Sequence, residues 1–448
     1  NMYWPFGDHL LSGAKIVAHH PNLYAVYLTN HGCGPDTLVN HMFREEMGDK
    51  PYLQIEVDEQ YSAVGIITRI EAFLNSIFHR PPVEMPKDFN ILDVKMKPAN
   101  IKYKPDPEKT LVLPDLGYHT WYLENYFEQC GYKKRRSLPK YSREILMKGR
   151  AETKSKEYLP FSVLLGGILE AIEREGDNRK NIQFLIPFNE GADADGQYAR
   201  AIRTVLDRKG YEDVDVIAPM LERLPTEADD PDLLMRALVA GDILYSAPAE
   251  SRDDQFYRPL SDWDALMELA GEIGKVPVVG RTLGVVGTPM SISSQDEGIL
   301  KKLEYEAEHF HRAPLSEMMW FLWKDCGSNG KAKDLLASWR KRIMEIGEAL
   351  NDRSSFSEEP EELFEVADQY LSDFSGANGR YRYAKMLLLA GRCNAMIHMS
   401  PRYENTSMVL NMRGLHDNCK VPVYDLSLDG DFDESGWERL RSFLYYCG

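Results

Sequence analysis

The spacing of hydrophobic positions divides the chain into alternating helices and strands. Over the first 80 residues it predicts a helix at 7–20, a strand at 23–28, a helix at 37–47, a strand at 52–57 and a helix at 63–78. Strands that alternate with helices in this way indicate a parallel sheet with helices on its faces. Two strands are too few for a free-standing sheet. The stretch 1–80 is therefore expected to be the last part of a domain whose front lies elsewhere, or to dock on the rest of the chain. The chain opens directly on an amphipathic segment, YWPFGDHLLSGAKIV, with no secretory signal, and is read as a piece of something longer.

Residues 80–109 hold six prolines and many lysines, which marks 81–107 as a linker. A second unit opens with an apolar strand, TLVLPDL, and an aromatic helix, HTWYLENYFEQCGY, closed by Gly131. Helix 161–174 precedes strand 182–187, and helix 196–209 precedes strand 214–218. Residues 225–270 are polar and mostly helical in pattern, with Asp229-Asp230-Pro231 as a stop and start. Near Gly274 another boundary falls. A buried strand within VPVVGRTLGVVGTPMSI is followed by a helix at 297–310, the segment APLSEMMWFLWKD and two charged helices between 331 and 372. The expected domains are thus 108–273 and 274–448.

One pattern occurs twice, at 28–74 and at 397–444: strand, polar loop, helix, strand, acidic loop, helix. Thr37 matches Thr406, Pro51 matches Pro422, Asp58 matches Asp429, and Arg69-x-x-x-Phe73-Leu74 matches Arg439-x-x-x-Phe443-Leu444. The offset drifts only from 369 (406 − 37) to 371 (422 − 51). The copies differ where chemistry would sit. The first has Cys33 between two glycines; the second has Arg402 after Pro401.

A net charge of −17 argues against nucleic acid or an anionic membrane as partner, since steering to either needs positive charge. No apolar run approaches the roughly 20 residues of a membrane-spanning helix. The six cysteines are scattered without a C-x-x-C pair. That spacing excludes a zinc ribbon and fits a reducing, cytoplasmic setting better than a disulfide scaffold.

Two loops follow a strand and open a helix, the position at which open α/β sheets bind ligands. In Asn30-His31-Gly32-Cys33-Gly34-Pro35-Asp36, a helix N-terminus would favour a Cys33 thiolate able to bind a metal or act as a nucleophile. The alternative is a buried cysteine in a tight turn with Asp36 as N-cap. The run 187–200 carries Glu190, Asp193 and Asp195, which would form a hard-cation site only by converging on one point. Otherwise they cap a helix and face water. Asp429-Gly430-Asp431-Phe432-Asp433-Glu434 starts like an EF-hand loop but lacks the sixth-position glycine and twelfth-position glutamate, and reads as a solvated turn. His19-His20 and His309-x-His311 read as exposed helix histidines. Trp320, Phe321 and Trp323 read as core or subunit interface. No Ser-His-Asp set, G-x-S-x-G or H-E-x-x-H is present.

The segments YWPFGDHLLSGAKIV, LTNHGCGPDTLVNHMFREEMGDKPYLQIEVDE and GIITRIEAFL resemble the C-terminal region of the large acyl-CoA dehydratase activase proteins. These are related to 2-hydroxyacyl-CoA dehydratase and benzoyl-CoA reductase subunits and to double-cubane-cluster proteins. The resemblance implies Rossmann-like parallel-sheet domains with helices on both faces. It also implies a [4Fe–4S] cluster held by cysteine thiolates between two such domains, and ATP-driven low-potential electron transfer. The family's Lys-Glu-Cys-x-Pro segment corresponds to Lys156-Glu157-Tyr158-Leu159-Pro160. Its Gly-Pro-Cys-Arg-Phe-Gly-Gln-Tyr segment corresponds to 191–198, with Asp193 at the cysteine. The third ligand falls, by the repeat, on Arg402 or Tyr403. The unit 108–448 therefore lacks the family's thiolates, and no cofactor is expected in this chain alone. Only Cys33 matches, as a cluster ligand in a full-length protein. The implied role is that of a C-terminal part assisting electron transfer, not catalytic by itself, with an upstream half or a dehydratase or reductase subunit as partner. The alternative is a non-catalytic binding module in which Tyr158, Asp193, Asp195, Arg402 and Tyr403 line an emptied interdomain cleft for a small ligand or a partner subunit.

Overall fold

The computed structural model describes the chain except residues 1–3, 31–33, 58–61, 82–83, 85–89, 91–99, 154–156, 190, 192, 260–261, 289–298, 300–301, 305–306, 308, 328–329, 374–375, 403, 431–433 and 448. Cys33, Glu190 and Tyr403 lie outside the described residues, as does most of the linker.

The protein is α/β, built on three sheets whose strands all run parallel. The N-terminal segment is α1 (Pro5–His19), β1 (Val26–Thr29), α2 (Asp36–Met47), β2 (Leu53–Glu56) and α3 (Ala63–Phe78), with β1 paired to β2. Five strands form the second sheet: β3 (Ile101–Lys102), β4 (Thr110–Leu113), β5 (Arg135–Ser137), β6 (Ile182–Leu185) and β7 (Asp215–Ile217). Their order is β3-β7-β6-β4-β5. Strand β3 belongs to the stretch read as linker. Two residues are too short to show as a hydrophobic run, yet they pair with Val216 and Ile217 as an edge strand.

Around this sheet lie α4 (Tyr118–Gln129), α5 (Arg143–Glu152), α6 (Leu159–Glu175) and α7 (Tyr198–Arg208). A short α8 (Leu224–Glu227) leads into α9 (Pro231–Ser246) and α10 (Trp263–Gly274). Helix α9 starts where the sequence places it: Asp230 accepts from Leu233 N–H, and Pro231 supplies a preset first turn.

The third sheet, ordered β11-β10-β8-β9, comprises β8 (Thr282–Gly287), β9 (His309–Arg312), β10 (Ala395–Pro401) and β11 (Val423–Leu428). Helices α11 (Leu315–Asp325), α12 (Lys331–Leu350), α13 (Glu362–Tyr370) and α14 (Ala377–Ala390) fill the connection between β9 and β10. Then α15 (Asn405–Met412), α16 (Leu415–Asn418) and α17 (Glu434–Tyr446) complete the chain.

The segments β1–α2–β2–α3 and β10–α15–α16–β11–α17 have similar strand–helix order, the second with the short α16 added. Leu28 pairs with Ile55 and Ile397 with Tyr424, each partner 27 residues on (55 − 28 and 424 − 397). They differ in packing: α17 buries Gly436, Leu440 and Leu444, whereas α3 buries no residue.

Among the described residues four apolar clusters form the core, and three of them join segments distant in sequence. One joins α9 and α10 to α11–α14 across the expected 273/274 boundary, and it includes Trp320, Phe321 and Trp323, as anticipated. A second joins α1 and α2 to α6 and α7, so 1–80 docks on the second sheet's helices. There His41 and Glu157, both buried, meet at 2.9 Å. The third brings Leu146 and Leu159, from α5 and α6, onto the β8–β10–β11 sheet and α17.

Two readings are corrected. His309 and His311 lie on β9 at the edge of a buried sheet, 4% and 2% exposed, where His311 Nδ1 is 3.2 Å from Ser355 Oγ. Histidine's amphipathic ring suits such a site, which residue type alone does not reveal. Asp36 is the first helical residue instead of the N-cap; its carboxylate turns back to accept from the Thr29 and Tyr27 hydroxyls on β1. None of the five described cysteines is in a disulfide. Among the described residues, no helix is long and apolar enough to cross a membrane.

Candidate functional site

Parallel sheets bind ligands beyond the carboxyl ends of their strands, at the point where successive connections go to opposite sides. In the five-stranded sheet that point is between β4 and β6, because the chain runs from β4 to β5 on one side and returns to β6 on the other. In the four-stranded sheet it is between β8 and β10, by the same logic. The two points face each other. Thr288, just past β8, and Asp195, in the loop after β6, both line the space between them.

Part of this space is closed by a polar clasp. The Asn405 backbone N–H, at the start of α15, donates to the Tyr158 hydroxyl at 3.2 Å. Thr406 Oγ1 donates to Asp193 Oδ1 at 2.5 Å. Gly34 lies against the same point: a β-carbon there would sit 3.1 Å from Asn405 Nδ2, and its positive φ of 58° also favours glycine. Gly34 thus borders the cleft. Gly34, Tyr158, Asp193, Asp195, Glu404 and Thr406 surround a residual void of about 30 Å³, room for about one or two waters.

Behind the clasp is a buried charge relay. Arg382 donates from Nη1 to Glu404 (2.9 Å) and from Nη2 to His398 Nε2 (2.7 Å) and Ser407 Oγ (3.0 Å). His398 Nδ1 then donates to Asp425 (3.0 Å). Burial pushes His398 down to about 4, so the ring is neutral at pH 7 and can accept from Arg382. Burial raises Glu404 above the usual carboxyl range, opposed by Arg382.

Beside the clasp opens a larger cavity of about 270 Å³. Its floor is the β4/β6 switch point, with Pro114, Leu116 and Pro187; its roof is Leu315, Met318 and Met319 on α11. Leu164, Leu234, Leu238, Tyr126 and Phe127 supply walls. Asp195 stands where this cavity meets the clasp. Burial first, and the neighbouring Asp193 carboxylate second, push its carboxyl up to about 7. A perturbed carboxyl in an apolar cavity at a switch point is the default signature of a binding site.

Of the residues anticipated from sequence, Tyr158, Asp193 and Asp195 converge. Arg402 does not: its side chain is 56% exposed and pairs with Asp429 at 3.1 Å, outside the cleft. The backbone of β10 ends at Pro401, and the chain turns so that Pro401 and Glu404 face in. Cys33, Glu190 and Tyr403 cannot be placed, lying outside the described residues. Glu404, Asn405 and Thr288 were not anticipated; Thr406 carried a signal, its match to Thr37 in the repeat.

The described donors around the clasp are carboxylates, hydroxyls and amides. Iron–sulfur clusters are held by several thiolates, so this set does not fit one. Among the described residues no group of three or more His, Cys, Asp or Glu is arranged to hold a metal ion. Compared with the models of known families, with curated proteins and with solved structures, the chain gives no match.

Proposed function

We propose that residues 101–448 are a cluster-free binding module within a protein of the acyl-CoA dehydratase activase group, and that the cavity beside the clasp holds a small ligand. One observation carries this reading. Tyr158 and Asp193, at the positions where the resembled family has cysteines, hydrogen-bond directly to the α15 start, and an apolar cavity remains next to them. Domain closure that a cluster would otherwise provide is supplied by side chains. Residues 1–80 then link the module to an upstream half of the same protein or to a dehydratase or reductase subunit. The exposed apolar faces of β1 and α3 support that role.

A second reading rests on Gly34. Gly34 lines the cleft beside Asn405, and Cys33 is its neighbour in sequence. On that reading Cys33 contributes one ligand to a [4Fe–4S] cluster in the full-length protein, whose role is to assist low-potential electron transfer.

Iron and acid-labile sulfide, measured after anaerobic preparation, separate the two. This chain should contain neither. In the full-length protein, iron that falls in Cys33→Ser supports the second reading for the upstream unit. Iron in this chain alone would overturn the first.

A further inference from the structure

One polar group lining the 270 Å³ cavity is an acceptor without a matching donor. Asn189 Oδ1 is buried and has no hydrogen-bond partner, while Asn189 Nδ2 is spent on Asp195 at 3.3 Å. Gly196 permits this arrangement, since a β-carbon there would lie 2.4 Å from Asn189 Oδ1. An unsatisfied buried acceptor costs free energy unless a ligand supplies the donor.

Charge at this end has one sign. Asp195 is faced by Asp193 from its own loop and by Glu404 from across the cleft; the phenols of Tyr158 and Tyr198 complete the surroundings. Arg382 is engaged with Glu404 and His398 behind the clasp. At the cavity mouth stand Glu227, Asp229 and Lys104, the last 3.7 Å from Asp229.

Helix N-termini usually favour anions at such a place, but here the chain's own carboxylates occupy them. Asp242 takes the Leu315 and Ser316 N–H groups of α11, each at 2.8 Å. Asp230 takes Leu233 N–H of α9. An anionic ligand would find no free donor among these groups and three carboxylates nearby.

We propose that the cavity binds an organic amine, its N–H groups donating to Asp195 and Asn189 Oδ1 and its hydrocarbon body lying against Leu164, Leu238, Met318 and Met319. This names the ligand class of the module proposed above and rests on that reading. An ammonium group paired with an ionised Asp195 cancels that charge and reduces the repulsion among the three carboxylates, whereas a ligand carboxylate would add a fourth like charge. Because Asp195 holds its proton up to about pH 7, amine binding must displace that proton at lower pH. Affinity therefore rises about tenfold per pH unit up to about pH 7, then levels until the amine itself loses its proton.

The test uses three probes of one shape and different charge: phenethylamine, 3-phenylpropanoate and the uncharged propylbenzene. Calorimetric titration of the whole chain from pH 5 to pH 9 reads the affinities. The expected result is tightest binding of phenethylamine, rising to a plateau near pH 7, with Asp195→Asn weakening it at least tenfold and flattening its pH profile. Leu238→Trp, which fills the cavity, should abolish binding, and thermal melts check that both variants fold. Equal or tighter binding of propylbenzene or of 3-phenylpropanoate, lost in Leu238→Trp, would overturn the amine assignment while leaving a ligand cavity. Absence of binding by all three probes overturns both the assignment and the ligand-binding reading beneath it.

Discussion

The Tyr158 hydroxyl accepts a hydrogen bond from the Asn405 backbone N–H across 247 residues of sequence, at 3.2 Å. It joins the start of α6 on one sheet to the start of α15 on the other. Beside it, Thr406 and Asp193 make the same connection with a charged acceptor. Oxygen atoms of Tyr158 and Asp193 thus tie the two sheets together across the cleft.

Removing these bonds should loosen the closure in proportion to their chemistry. Tyr158→Phe deletes a neutral acceptor and should cost about 1 kcal/mol, whereas Thr406→Val strips a donor from a carboxylate and should cost about 2 kcal/mol. Because the two bonds serve one closure, the double variant should depart from additivity by more than about 0.5 kcal/mol. Urea unfolding of the four chains measures this, and strict additivity would mean the bonds act separately.

Tyr158 is placed by an unusually close helix pair. A β-carbon on Gly149 of α5 would lie 1.8 Å from the Ser162 carbonyl oxygen, and one on Gly166 of α6 would lie 2.0 Å from that of Ile145. Both obstacles are backbone, so neither can rotate away. Gly149→Ala and Gly166→Ala should each cost about 3 kcal/mol, the upper range of overpacking. Gly131→Ala serves as contrast: its strain is conformational only, since its φ is 97° and no atom stands within 4 Å. It should cost about 1 kcal/mol. Thermal melting midpoints that rank Gly131 with the helix glycines would contradict the close-approach argument.

How far the sequence discloses this arrangement depends on the range of the interaction. Helices and strands follow from local hydrophobic spacing, and so the parallel α/β character, the Asp230-Pro231 helix start and the buried Trp320 and Trp323 are legible. Strand β3 is not, because Ile101 and Lys102 become a strand only through Val216 and Ile217. The convergence of Tyr158, Asp193 and Asp195 is suggested by resemblance alone, and no local pattern distinguishes Asp195 from an ordinary helix-opening carboxylate. The cavity is the least legible feature. Its walls come from loops after β4, β6 and β7 and from α4, α6, α9 and α11, and only tertiary packing brings Leu116, Leu238 and Met318 together.

Stability should respond to pH with two opposed contributions. Burial depresses His309 and His398 to about 4, below the ordinary histidine value of 6.5. Between pH 6.5 and 4 the unfolded chain binds more protons at these rings, so their stabilisation is complete above 6.5 and is lost as pH falls. Asp195 acts the other way. Folded, it keeps its proton to about pH 7; unfolded, it loses it near 3.8, so its contribution is present below 3.8 and fades as pH rises to 7. Two histidines outweigh one carboxyl, and the wild-type chain should lose stability from pH 6.5 to 4. Asp195→Asn should lose more over the same range, its difference from wild type shifting in its favour as pH climbs. Parallel urea midpoints for the two chains from pH 4 to 8 would show that Asp195 is not held protonated.

The N-terminal segment presents apolar surface on two elements. On β1, whose only partner strand among the described residues is β2, Leu28 is 64% exposed. On α3, Val64, Ile67 and Phe78 are 73%, 54% and 75% exposed. The comparable strand β10 is flanked on its second edge by β8, and α17 buries Leu440 and Leu444. An unpaired strand edge beside an apolar helix invites association. This chain should therefore self-associate with increasing concentration in sedimentation velocity. Leu28→Lys with Ile67→Glu should suppress that association while changing stability by no more than about 0.5 kcal/mol, because both positions already face water. In a full-length protein whose upstream half covers this face, the same pair should instead destabilise by several kcal/mol, since it would bury two charges. A chain that stays monomeric at all concentrations, with the pair silent in both contexts, would mean that β1 and α3 have no partner.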